Sequence, residues 1–130
     1  MILNENSLLN IVQNSPNGSE VKIFLYIALQ QPKNEVAGFK TTKEQLAIDL
    51  NLNIRTIFKS LRWLNENLLV QEVKCVDHSD FMVNPYFVMN NFDREARIAE
   101  WNRRSILDSQ RKIRLRKEKR RREQKKASQQ

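Results

Sequence analysis

The sequence predicts a mainly α protein with a small β-hairpin: a winged helix-turn-helix domain followed by a long basic C-terminal helix or tail. Three observations carry that expectation. The stretch TTKEQLAIDL-NLN-IRTIFKSLRWLNENLLV has the punctuation of two helices joined by a three-residue turn. Two short apolar runs follow it, separated by Asp77-His78-Ser79-Asp80, and close on Val83-Asn84-Pro85-Tyr86-Phe87. Beyond residue 93 the apolar residues thin out and Lys and Arg accumulate.

The elements follow in order. Leu8, Leu9, Ile11 and Val12 indicate a short N-terminal helix, ended by Asn14-Ser15-Pro16-Asn17-Gly18. Ser19 is the expected N-cap of a second helix running to about Gln31, with Val21, Phe24, Leu25 and Ala28 spaced i, i+3, i+4, i+7. Ile23, Ile27 and Leu29 widen that stripe until Lys22, Tyr26 and Gln30 form its polar line, so the helix is expected at the centre of the fold. Residues 32–40 are expected as a connector. Thr41 or Thr42 caps a third helix, with Thr42-x-x-Gln45 in capping-box register and Leu46, Ala47 and Leu50 facing inward.

Asn51 stands where the tight turn needs a left-handed residue, a conformation Asn tolerates best after Gly. Leu52 plugs the turn, and Asn53 caps a fourth helix that buries Ile57, Leu61 and Leu64. Leu68-Leu69 leaves that helix toward the core, a strand runs through Val76, and Phe81-Met82-Val83 returns until Pro85 ends the pairing. Asp93 onward is helical, since Asp93–Arg97, Asp108–Lys112 and Glu118–Arg122 pair at i, i+4. Phe92, Ala96, Ala99 and Ile106 are expected to keep one face of it on the body. The expected organisation is a helical segment over 1–14, the winged domain over 15–92 and the basic helix or tail over 93–130.

Charge is distributed unevenly. The chain has 130 residues and a net charge of +8, yet residues 1–110 hold 12 Lys/Arg against 13 Asp/Glu. Residues 111–126 hold the other 11 against Glu118 and Glu123. One cysteine, Cys75, excludes an intramolecular disulfide; at a strand position beside Val73 it is expected to pack as a small hydrophobe. The opening MILNENSLL lacks the basic start and apolar core of a signal peptide, and no apolar run approaches the roughly 20 residues that span a bilayer. A soluble cytoplasmic protein with no membrane partner is expected.

Catalysis finds no support. There is no phosphate loop, no paired catalytic carboxylates and no metal cluster, so neither enzyme activity nor a cofactor is expected. His78, the sole histidine, sits in a turn with Asp77 and Asp80, which lacks the three or four preorganised ligands of a transition-metal site. Trp63 and Trp101 each lie beside a helical apolar face and are expected in the core.

Binding chemistry is the remaining class. With Ile57, Leu61 and Leu64 inward, Arg55, Thr56, Phe58, Lys59, Ser60 and Arg62 turn outward or partly outward. In a helix-turn-helix the first turns of the second helix reach base edges, which nominates Arg55, Thr56 and Lys59 for double-stranded DNA, with Arg62 on phosphate. Phe58 either touches thymine methyls or folds back on the domain. Lys43, at the start of the preceding helix, is a candidate phosphate ligand, and Lys74 is the basic residue of the wing. Asp77 and Asp80 would repel phosphates from the wing tip. Arg111, Lys112, Arg114, Arg116, Lys117, Lys119, Arg120, Arg121, Arg122, Lys125 and Lys126 are expected to clamp phosphates without sequence preference. The broad apolar helix 20–31 and the N-terminal helix offer surface for a homodimer.

The run from Asn34 to Asn90 resembles the RepL-type plasmid replication and maintenance proteins of bacteria. The likeness lies in block order: Lys22-Ile23-Phe24 opening an apolar helix, then the helix-turn-helix, then a hairpin closing on Val83-Asn84-Pro85-Tyr86-Phe87. It implies binding to a plasmid origin and recruitment of host replication proteins, in support of replication initiation or maintenance. Asn51 replaces the glycine common in such turns, and no paired histidines accompany Tyr26 or Tyr86 as a nicking site would require. Two other roles suit the architecture: a transcriptional repressor, and an interaction module whose tail holds RNA or an acidic partner.

Overall fold

The computed structural model describes residues 2–89 and 94–129. In chain order the elements are β1 (Ile2–Leu3), α1 (Glu5–Asn14), α2 (Ser19–Gln30), β2 (Phe39–Thr41), α3 (Lys43–Leu50), α4 (Ile54–Glu66), β3 (Val70–Lys74), β4 (Ser79–Val83), β5 (Val88–Met89) and α5 (Arg94–Ser128). Helices dominate, a small antiparallel sheet of order β2-β4-β3 supplies the wing, and a 35-residue helix closes the chain. This is the winged helix-turn-helix with a long basic helix that the sequence predicts.

Local chemistry sets the α3–turn–α4 unit as expected. The Thr42 hydroxyl accepts the Gln45 N–H at 3.0 Å, capping α3. The Gln45 carboxamide donates to Asp49 at 2.7 Å instead of returning to Thr42, so only half of the capping box forms. Asn51 adopts φ 52°, ψ 49°, the left-handed conformation that ends α3. Asn53 then caps α4 by accepting the Arg55 N–H at 2.8 Å. Gly18, at φ 79°, is the N-cap residue of α2, and the expected cap Ser19 lies one position inside the helix.

Helices α2, α3 and α4 meet over one face of the sheet. Ile23, Phe24, Ile27, Leu46, Ile57, Leu64 and Phe81 are essentially inaccessible there. The polar line of α2 is spent on α3: the Lys22 ammonium donates to the Leu50 carbonyl at 2.7 Å and the Tyr26 hydroxyl to Asp49 at 2.9 Å. The central placement expected for α2 holds, with Leu29 left at the surface.

β2 takes the last two residues of the expected connector together with Thr41, one of the two expected caps of α3. It pairs with β4 through Phe39↔Phe81, Lys40↔Asp80 and Thr41↔Ser79. Gly38 makes that approach possible, because a Cβ there would collide with the Asp80 carboxylate and the Phe81 carbonyl. A second addition is the β1–β5 clip, with Ile2↔Met89 and Leu3↔Val88. Asn84 shapes the chain between β4 and β5. Its side chain donates to the Leu68 carbonyl at 2.8 Å and accepts the Tyr86 N–H at 2.9 Å, while its backbone N–H donates to Leu69 at 2.9 Å.

The outer face of the sheet is covered by α5. Strand alternation sends Asp80 and Met82 away from Phe81 and Val83, and both are buried. The Arg104 guanidinium reaches Asp80 at 2.8 Å, and Gln71 donates to the Trp101 carbonyl at 3.1 Å and the Ser105 hydroxyl at 2.6 Å. Arg97, buried, donates to the backbone carbonyls of Pro32 and Glu35. The docking line runs through Arg97, Trp101, Arg104 and Ser105; of the expected Ala96, Ala99 and Ile106, Ala96 is half-buried, while Ala99 and Ile106 are exposed. The reason is chemical: this sheet face carries Asp80, which takes a guanidinium, and Gln71, which donates to a carbonyl and a hydroxyl of α5. Phe92 and Asp93, the expected partner of Arg97, lie outside the described residues.

Three further expectations are corrected. Leu68 does not enter the core; it takes φ 58° just after α4 and stays exposed, while Leu69 is buried. Cys75 does not pack as a buried hydrophobe, since strand pairing stops at Lys74–Ser79 and Cys75 begins the exposed loop. Asp80 is no wing-tip charge, because β4 starts at Ser79 and Asp80 faces Arg104.

Candidate nucleic-acid interface

Helix α4 turns one line of residues to the core and the opposite line to solvent. Ile57, Ser60, Leu61 and Leu64 are buried. At roughly 100° per residue, Arg55, Lys59 and Arg62 fall diametrically across from them, and all three are exposed. They form a single cationic line over the first three turns of α4, at the end where helix-turn-helix proteins approach base edges. Thr56 sits half-buried beside the line.

Ser60 leaves the set. It is 1% exposed, and its hydroxyl lies 3.0 Å from that of Ser19 and 3.4 Å from the Glu20 carboxylate. Glu20 is itself buried and also accepts the Asn17 N–H at 3.2 Å. Ser60 thus belongs to the α2–α4 contact and is covered where the sequence put it partly outward. The i+3 spacing from Ile57 places it on the inward arc, which periodicity alone left open.

Lys43 is also committed within the protein. Its ammonium lies 3.3 Å from Glu72 of β3 and 4.4 Å from the centre of the Phe58 ring. The pairing ties the start of α3 to the wing and to α4, and the aromatic face adds a cation–π attraction. A phosphate ligand here would have to compete with Glu72. Phe58 is half-exposed, so the ring serves as the platform for Lys43 and still shows an edge to solvent.

The wing is short and mixed in charge. Lys74 is exposed at the end of β3, and the loop closes with the Cys75 N–H donating to the His78 carbonyl at 2.8 Å. His78 and Asp77 pair at 2.6 Å, and that hydrogen bond holds the Asp77 carboxyl below its usual range. Among the described residues no group of three or more His, Cys, Asp or Glu is placed to hold a metal ion. None of their helices is long and apolar enough to cross a membrane.

From Ile106 to Gln129 every residue of the C-terminal segment is exposed, so all 11 tail cations are open to solvent. The structure brings Arg55, Lys59 and Arg62 together and places the tail cations on a separate element. Sequence reasoning missed the clamp that fixes that element. Arg104 lies between Asp80 at 2.8 Å and Glu100 at 2.9 Å, with Arg103 also bonded to Glu100. The hydrogen bond from Arg103, working against partial burial and helped by Arg104, holds the Glu100 carboxyl down to about 2. The i+3 and i+4 spacing from Glu100 was a visible signal; the partnership with Asp80, 24 residues away, had none.

No protein-family model matches the chain, and no curated protein matches it. Among solved structures the chain is similar to a transcriptional regulator homologue protein from Pyrococcus horikoshii OT3, at a TM-score of 0.44 and 16% identity over 82% of this chain and 93% of that one. Likeness at that level carries no argument about function.

Proposed function

We propose that this protein is a sequence-specific double-stranded DNA-binding protein that supports plasmid replication initiation or maintenance. The observation that carries the binding reading is the exposed line Arg55–Lys59–Arg62, diametrically opposite the core contacts of α4. In this reading α4 enters the major groove, Arg55 forks onto guanine O6 and N7, Thr56 and Lys59 contact neighbouring edges, and Arg62 meets phosphate. The basic part of α5 adds affinity independent of sequence. The protein acts by binding, without a catalytic step of its own.

The plasmid role rests on the resemblance carried by Asn84-Pro85-Tyr86-Phe87 after the hairpin. A footprint of the full chain on the origin of its own replicon tests the binding: a bounded protected site supports it, and uniform affinity for unrelated duplexes overturns it. A minimal-replicon copying assay tests the role. Loss of copying on gene deletion supports replication; intact copying with altered promoter output assigns the same surface to transcriptional repression.

A further inference from the structure

The basic half of α5 has no preferred side. At roughly 100° per residue, Arg111, Arg114, Arg121 and Lys125 gather on one side of the helix, and Lys112, Arg116, Lys119 and Arg120 gather on the other. Lys117, Arg122 and Lys126 occupy the flanks between them. A helix that lay along the outside of a phosphate backbone would need cations on one face only, as a solvated helix shows opposite an apolar stripe.

No apolar face competes for this helix. Ile113 and Leu115 point roughly 160° apart. Ile106 and Ile113 share a line, but Arg120 is next on it, so a helix–helix seam ends after two residues. Membrane-surface helices need a continuous apolar face, which is missing here. Two walls of phosphate would engage cations on both sides of such a helix.

We infer that residues 111–126 form a second DNA-engaging element, a helix that fills the major groove of B-form duplex DNA with phosphates on both flanks. The dimensions agree. An α-helix with its side chains is about 10–12 Å across, and the B-form major groove is about 12 Å wide. Sixteen residues rise about 24 Å, a length over which duplex DNA carries about 14 phosphates at one per 1.7 Å. The segment brings 11 cations and two carboxylates to them. The A-form major groove of duplex RNA is too narrow and deep for this fit. The inference leans on the DNA-binding proposal only in choosing DNA, and it does not depend on α4 reading a sequence.

The test uses the full chain and a duplex of arbitrary sequence. Two variants neutralise opposite sides: R111Q/R114Q/R121Q/K125Q and K112Q/R116Q/K119Q/R120Q. Glutamine keeps a helix propensity close to that of Lys and Arg, and circular dichroism checks that helix content is retained. Each variant should flatten the plot of log affinity against log salt by roughly 3.6, from four contacts at a slope of about 0.9 each, and the two by similar amounts. If one variant keeps the parental slope, the helix lies on one side of the backbone; if both keep it, the segment is a solvated tail. Either result overturns the inference, as does equal or tighter binding to duplex RNA at the same salt.

A second measurement needs no tail variant. In the R55A/K59A/R62A chain, which removes the whole cationic line of α4, binding should slow dimethyl sulfate methylation of guanine N7 in the major groove more than that of adenine N3 in the minor groove. Equal slowing overturns major-groove occupancy. Sequence-specific binding by α4 can fail with these results intact, and the reverse also holds.

Discussion

Arg55 and Ser60 share one face in a linear reading and opposite fates in the fold. Arg55 is exposed near the N-terminus of α4, whereas Ser60 is buried against Ser19 and Glu20. Replacing Arg55 by Ala should relax base preference and cost about 1–3 kcal/mol of specific binding, measured as the affinity difference between the footprinted site and a scrambled duplex. Ser60→Ala should act on stability instead. It removes a donor from a buried carboxylate, at a cost of about 1–2 kcal/mol in chemical unfolding, while affinity of the folded protein for DNA stays unchanged. Leu68 offers a third residue-scale test. Its left-handed φ of 58° strains a branched side chain, and its exposure leaves little burial to lose. Leu68→Gly should therefore raise stability by about 1 kcal/mol in thermal or urea unfolding. A loss of stability would show that the leucine side chain contributes more than its exposure implies.

At the scale of elements, α5 is held to the body by one buried aromatic residue and a set of polar contacts. Trp101 is its buried aromatic anchor, and Arg97, Arg104 and Gln71 supply the rest. Glu100 gives this docking a pH signature. Its folded pKa is depressed from the ordinary 4.5 to about 2, so the stabilisation is complete above about 4.5 and is lost as pH falls through about 2. Protection of the Arg97–Ser105 amides, taken relative to the intrinsic exchange rate at each pH, should fall across that window, and Glu100→Gln should remove that part of the acid dependence. The same scale explains why neither β1 nor β2 has a signal in the sequence. Three-residue and two-residue strands carry no alternation of their own. They exist because β4 and β5 offer free edges at the right distance, which Gly38 permits for β2.

As a whole molecule, the chain joins a body of nearly balanced charge to a helix that carries the excess. In the proposed function this separates two kinds of binding energy: that of the cationic line on α4 at base edges, and that of the dense cationic rod at phosphate. Ending the chain after residue 110 should weaken binding to all duplexes alike and flatten the salt dependence, while the ranking of sequences by affinity is kept. Equal salt slopes for the full and shortened chains would assign the affinity to the body. A homodimer would have little of α2 to use, since that helix is central to the core and Leu29 is its one exposed large apolar residue. Leu9 and Val12 of α1 remain at the surface.

The helix-turn-helix was legible because its signals are local. Thr42, Asn51 and Asn53 act on backbone groups within three or four residues, and Ile57, Leu61 and Leu64 repeat at the helical period. The basic line of α4 followed by subtraction, and the tail announced itself by composition. Tertiary structure alone decided which of the outward candidates are free. Lys43 is drawn to Glu72, Ser60 to Glu20, and Asp80 to Arg104, each a partnership between residues far apart in the chain. Periodicity states which way a side chain leaves its own element; what it meets there depends on how other elements pack, and that is a property of the assembled fold.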